Sequence, residues 1–428
     1  MKKTTARTLF IILCVFVING SAAAQKSRTE GHWVSAWATS VMLPMSFPGL
    51  PPEPSLEDRT IRMIVRPTIG ARQIRIKLSN EFGSSPLVID AARIALTDAG
   101  PKIKSDTDRE LTFGGNKKVT VPAGAPILSD PVDLSVTAFS EVSISIHVAS
   151  QPTGPTSHFQ AQEGSYVAGP GDLTARAELP SPAHKPAWYF LSSLQVWVPN
   201  STTTIVALGD SITQGTSNKP NQLYIDYPNQ LAHRLASEKN APHISVVNQG
   251  IGGNRILHDG AGVSALARFD RDVLSVPGVT SVILLEGIND IGFPRIRFAE
   301  IKNFPVPKEN PFAAQRVSAE EMIVGLKQII ARAHEHGIKI YGATLTPFEG
   351  TNSYDADGES VRQAVNHWIR TTKDYDGIFD FDALLRDPAH PTKLRAEYDS
   401  GDNIHPSPAG YKAMADAISL PLLKNNKP

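Results

Sequence analysis

Thr204-Ile205-Val206-Ala207-Leu208 runs directly into Gly209-Asp210-Ser211-Ile212-Thr213. The first five residues are uncharged and mostly β-branched, so they read as a strand covered on both faces. The glycine and two short polar residues after them end the strand and open a helix. The same unit recurs downstream. Strands are expected over 204–208, 244–248, 281–285, 339–345 and 377–381, and helices over 227–238, 263–274, 319–336, 359–372 and 409–423. Alternation of this kind builds a parallel sheet between helices, whose ligand site lies at the carboxyl ends of the strands.

The residues that can do chemistry cluster at those ends. Ser211 follows the first strand, Gly250-Ile251-Gly252-Gly253-Asn254-Arg255 the second and Gly287-Ile288-Asn289-Asp290 the third, while Asp402-Asn403-Ile404-His405-Pro406 precedes the last helix. A serine hydroxyl attacks a carbonyl only if a base takes its proton, and histidine has a suitable pKa, so His405 is the candidate base. Asp402, three residues earlier, can hold the ring and stabilise its positive charge if the loop makes one turn. The candidates for oxyanion donors are the N–H groups of Ser211 and Gly253 and the side-chain amide of Asn289. A helix opened by Ser211 would add its positive end.

Each residue also has an ordinary structural role. Ser211 or Asp210 can cap a helix, Asn289 and Asp290 can make a turn, Gly252-Gly253 can be a flexible loop, and Asp402 can cap the last helix. Joint occurrence in the order required by one acyl-transfer site favours chemistry. The four blocks resemble those of the SGNH hydrolases, the GDSL esterases and lipases, over about 203–421. The resemblance implies a flavodoxin-like three-layer domain, Ser-His-Asp catalysis by Ser211, His405 and Asp402, and an oxyanion hole of Ser211, Gly253 and Asn289. Gly209-Asp210-Ser211-Ile212-Thr213 lacks the second glycine of G-x-S-x-G and so does not fit an α/β-hydrolase elbow.

Upstream, the pattern is different. Segments such as Gln73-Ile74-Arg75-Ile76-Lys77-Leu78 and Val142-Ser143-Ile144-Ser145-Ile146-His147-Val148 alternate at period two, as half-buried antiparallel strands do. An all-β sandwich or jelly roll over 25–200 is expected, followed by the hydrolase domain over 201–428. Trp33-Val34-Ser35-Ala36-Trp37 and Leu78-Ser79-Asn80-Glu81-Phe82-Gly83 are similar to a secreted bacterial subgroup of the family with a β-rich N-terminal module, some of whose members act on acylated plant polysaccharides. Trp33 and Trp37 suit either stacking on a sugar or packing of one domain on the other. The aromatic, proline-rich loop 292–316, with Phe293, Phe298, Phe304 and Phe312, is expected to wall the substrate pocket or to pack against the β module.

The first 24 residues read as a signal peptide: Lys2, Lys3 and Arg7, an apolar run, then Ser21-Ala22-Ala23-Ala24. The apolar run is too short for a membrane anchor, and Ile12-Leu13 before Cys14 argue against lipidation. Cleavage takes three of the 42 basic side chains and none of the 42 acidic ones, giving a net charge of −3 and no cysteine. Disulfides, thiolate metal sites and cysteine catalysis are then excluded. Balanced charge gives no general attraction for nucleic acid. No metal or other cofactor is implied, and the oligomeric state is left open.

The reading is a secreted or periplasmic serine esterase, with no lasting membrane association after cleavage, acting on a small-molecule or glycan ester and removing short acyl groups, such as acetyl, from carbohydrate. Its rivals are a lipase or general carboxylesterase, an acyltransferase with a sugar acceptor, and a carbohydrate-binding protein with a dormant hydrolase domain.

Overall fold

The computed structural model describes residues 30–43, 55–152, 154–216, 222–238, 243–301, 307 and 309–424; the signal-peptide reading of 1–24 and Phe304 lie outside them. From His32 to Val198 the chain forms two main antiparallel sheets. One orders the strands His32–Ala38, Leu191–Val198, Ala71–Ser79 and Pro126–Leu128; the other centres on Arg59–Val65, Val142–Ser150 and Leu87–Ala99. Ile74, Ile76 and Leu78 of one sheet share a core with Ile61, Met63, Ile144 and Ile146 of the other. Val142–Ser150 departs from the half-buried expectation, because Ser143, Ser145 and His147 are buried too. Arg62 covers that outer face: it donates to Ser145 Oγ at 2.8 Å and to the carbonyl of Arg176 at 2.7 Å, pulling a connecting segment across the sheet.

Trp33 stands edge-on to Trp197 at 5.5 Å with the Arg75 guanidinium 4.2 Å above its ring, and Trp37 stands edge-on to Trp188 at 4.9 Å. Both tryptophans thus pack against groups of the β-rich region itself.

The second half forms one parallel sheet, ordered Ile244–Gly250, Thr203–Gly209, Val279–Leu285, Lys339–Ala343, Gly377–Phe379. In sequence rank this is 2-1-3-4-5, the flavodoxin-like order, whose ligand crevice opens at the switch point between the first and third strands. Helices Tyr227–Ser237 and Pro408–Ala417 pack together, as do Ala319–Glu335 and Ala356–Thr371. Ser318 and Glu321 cap one helix reciprocally, and Asp226, Asp355 and Ser407 cap others.

Several element ends differ from expectation for local reasons. The fifth strand stops at Phe379 because Asp380 caps the short helix Phe381–Leu385. The last helix breaks after Ala417, since Pro421 has no N–H and its ring would clash with the preceding turn. The helix expected over 263–274 is Ala265–Phe269 followed by a wider π turn, Asp270–Leu274.

Buried hydroxyls join the two halves. Ser245 Oγ donates to Ser35 O at 2.6 Å and lies 2.9 Å from Thr68 Oγ1, while Ser40 Oγ donates to Gln249 Oε1 at 2.8 Å. No described helix is long and apolar enough to cross a membrane.

Candidate active site

Gly209 ends the first strand, and Asp210 caps the turn after it by accepting from Ile212 N–H at 2.9 Å. The capping role therefore falls to Asp210 and leaves the Ser211 hydroxyl uncommitted to its own helix. That helix is a single turn, Ser211–Gln214. Its dipole is correspondingly small, and what it supplies is first-turn N–H groups without intrahelical acceptors.

Ser211 Oγ lies 2.8 Å from His405 Nε2, and His405 Nδ1 lies 2.6 Å from Asp402 Oδ2. The other carboxylate oxygen of Asp402 accepts from the N–H groups of His405 at 2.9 Å and Ile404 at 3.1 Å. Burial works against the Asp402 charge, but the His405 ring and these N–H groups outweigh it and hold the carboxyl well below the usual range. An ionised Asp402 can only accept, so Nδ1 carries the ring proton and Nε2 is left to accept from Ser211. Asp402 does not cap the last helix, a role taken by Ser407. Asp399 is occupied elsewhere, accepting from Gly401 N–H at 2.8 Å and Asn403 N–H at 3.0 Å, so it holds the turn and not the ring.

The structure also brings Gly253 and Asn289 to this edge. Gly253 has φ +77°, and a Cβ there would stand 2.9 Å from the Phe293 ring. Only glycine fits both the backbone and the space. Asn289 is buried, and its amide donates to Asn254 O at 3.0 Å, which fixes the side chain and leaves its second N–H unspent. Its neighbour Asp290 lies in the short helix Ile288–Gly292. It is buried and accepts from the N–H groups of Ile256 at 2.7 Å and Leu257 at 3.0 Å, locking the glycine-rich segment to the end of the third strand.

One organiser was not apparent in the sequence. Arg268 is fully buried and donates to Gly209 O at 2.9 Å, Gln249 O at 2.7 Å, Asn254 Oδ1 at 2.8 Å and Ser40 Oγ at 2.8 Å, with Asp272 3.1 Å and Glu286 3.5 Å away. It ties together the ends of strands one and two, the residue after Gly253, and the β-rich region. The available signal was an Arg-x-x-x-Asp pair on a helix face otherwise made of Ala265, Phe269 and Val273.

Beside Asn289 an open cleft of about 330 Å³ is walled by Phe293, Ile296, Phe348, Thr351, Asn352, Asp402 and Ile404. The loop after Asn289 thus contributes Phe293 and Ile296 to that wall. Phe293 and Phe312 pack at 5.3 Å, with the Arg255 guanidinium over both rings. Among the described residues no group of three or more His, Cys, Asp or Glu side chains is arranged to hold a metal.

Residues 207–413 match the family model of GDSL-like lipases and acylhydrolases. The chain carries a GDSL-type hydrolase domain. Solved structures similar to it include the following two. The acetylxylan esterase Axe2 of Geobacillus stearothermophilus is 21% identical, covering 51% of this chain and 94% of its own, with a TM-score of 0.36. A GDSL-like lipase of Bacteroides thetaiotaomicron is 16% identical, covering 52% and 88%, with a TM-score of 0.37. No curated protein matches the chain in sequence.

Two predictions test this architecture. Arg268→Met should cost about 3–5 kcal/mol in denaturant unfolding, because it leaves Glu286 buried without its donor and takes from Gly209 O and Gln249 O one of the two donors each has, Ile251 N–H and Ser40 Oγ being the others. Arg268→Lys should fall between, since an ammonium cannot reproduce the planar fork. A loss below about 1 kcal/mol for Arg268→Met would remove Arg268 from its organising role. Burial pushes the Asp210 carboxyl up to about 7. A raised acid contributes stability that is complete below its unfolded pKa and is lost as pH rises through the folded one. The melting-temperature advantage of wild type over Asp210→Asn should therefore shrink between about pH 4 and pH 7, and thermal melts across that range would show it.

Proposed function

We propose that this SGNH-type hydrolase is an exported esterase that removes short acyl groups, acetyl foremost, from carbohydrate through an acyl-enzyme on Ser211. The observation that carries the reading is the continuous hydrogen-bonded line Ser211–His405–Asp402, at 2.8 and 2.6 Å. Ser211 Oγ attacks the ester carbonyl while His405 Nε2 takes its proton, and Asp402 stabilises the imidazolium. The oxyanion meets the N–H groups of Ser211 and Gly253 and the free N–H of Asn289. Collapse expels the alcohol, which takes the proton from His405, and water repeats the sequence to release the acid. Support for a hydroxyl-rich alcohol comes from the cleft, whose lining combines Thr351, Asn352 and Ser353 with the half-buried ring of Phe293. Such a lining brings polar groups and an aromatic ring together. Export rests on the charged, apolar and small-residue order of the first 24 residues.

Purified protein should release acetate from acetylated oligosaccharides with kcat/KM above that for long-chain glycerol esters. A preference for the glycerol esters would make it a lipase, and acylated sugar product would make it a transferase.

Substitutions at Ser211 and Asn289 probe the mechanism. Ser211→Ala should reduce turnover to near background with the melt unchanged. Asn289→Ala should lower kcat by about 10² to 10³ with KM nearly constant, because its free N–H bonds the oxygen only as charge develops. Asn289→Asp should be at least as damaging, since it puts a carboxylate where an oxyanion forms. Steady-state kinetics showing Asp tolerated as well as Asn would reduce Asn289 to a turn residue.

A further inference from the structure

The surface on one flank of Ser211 is built by the β-rich region. Buried His158 donates from Nδ1 to Ser40 O at 2.7 Å and accepts through Nε2 from the Gln214 amide at 3.1 Å. Gln214, the last residue of the Ser211 turn, also donates to Phe159 O at 2.9 Å, and Gln162 donates to Asp226 Oδ2 at 2.7 Å. Between these anchors sits Gln160, exposed and held at φ +59°. A non-glycine residue is uncommon there, and such backbone persists where its surroundings fix it, often at functional sites.

The end of the Gln160 side chain lies beside Gly252, which adjoins the nucleophile. A methyl built on Gly252 would stand 3.0 Å from Gln160 Oε1, 3.0 Å from Gln214 Oε1 and 3.9 Å from Ser211 Cβ. Gln214 Oε1 is buried and has no hydrogen-bond partner among the described residues. Two amides from different halves of the molecule therefore converge on Gly252, about one methyl group away from the serine.

The leaving alcohol must take its proton from His405 Nε2, so it departs on the His405 side. The cleft walled by Asp402 and Ile404 opens there. Under the acyl-enzyme reading, that leaves the flank over Gly252 for the acyl group. We propose that Gln160, supplied by the β-rich region, is a specificity-determining residue that closes the acyl site and sets the upper limit on acyl length. Acetyl fits in front of Gln160, and a longer chain runs into it with Gln214 behind. The inference rests on the acyl-enzyme reading above and identifies the part of the chain that enforces its short-acyl preference.

The test compares the full chain with Gln160→Ala and Gly252→Ala on 4-nitrophenyl acetate, butyrate and hexanoate, with thermal melts as a control on folding. The butyrate-to-acetate ratio of kcat/KM should rise about tenfold or more in Gln160→Ala, in line with the effect of one or two methylenes in a confined pocket. It should fall in Gly252→Ala, whose added methyl takes up the same space. An unchanged ratio in both variants, a parallel loss on all three esters in Gln160→Ala, or a wild type that takes hexanoate as readily as acetate overturns the proposal. If wild type turns over aryl acetates but no acetylated sugar, the carbohydrate reading falls while the ratio still decides the role of Gln160. If it turns over no ester, both fall.

Discussion

The geometry at the sheet edge depends on one buried guanidinium. A parallel sheet ends in carbonyls that no further strand satisfies, so at the crevice edge those carbonyls draw on donors from elsewhere. Arg268 supplies them to Gly209 and Gln249 and uses another N–H on the Asn254 side chain. Asn254 in turn accepts from the Asn289 amide through its backbone carbonyl. Three strand ends are thereby held in fixed relation by one rigid, planar fork, a task for which lysine is poorly shaped. Asp272, four residues on in the π turn after Phe269, lies 3.1 Å from Arg268 and keeps the charge paired in a dry environment.

Around this fork sit acids in unequal environments. Burial raises Asp210 and Asp290, the latter to about 6, and drives Glu286 well above the normal carboxylate range. Asp402, half-buried and bonded to His405 by ring and backbone, goes the other way. The contrast sorts their roles. Asp210 and Asp290 accept from backbone N–H groups and hold segments in place, whereas Asp402 keeps its charge beside the one ring that must become positive.

Much of this was legible in the sequence. The five strands, and the serine, glycine, asparagine and histidine blocks after them, appear because strand ends are marked by glycine and short polar residues that differ sharply from the apolar runs before them. The structure brings Ser211 and Asp402 each within hydrogen-bonding distance of His405. What stayed hidden is tertiary. Arg268 looks like an ordinary helix residue until its six partners, drawn from residues 40 to 286, are seen together. The double burial of Val142–Ser150 could not be read from its alternation, because the covering segment at Arg176 is held over it by Arg62, 114 residues earlier in sequence. Trp33 kept both readings open in the sequence, and its partners Trp197 and Arg75 were equally remote.

The β-rich region is more than an appendage to the hydrolase domain. A loosely tethered module would meet its neighbour through a polar, solvated interface, yet here the hydroxyls of Thr68 and Ser245 are buried and bonded across the boundary, Ser245 also donates to the Ser35 carbonyl, and Ser40 reaches Arg268 itself. Buried polar groups are costly unless fully paired, so such a network holds the two halves in a single relative position. That constraint is what allows the segment 158–162 to lie against the Ser211 turn reproducibly. Without it, the strained backbone at Gln160 would relax, and the wall beside Gly252 would lose its defined distance from the nucleophile.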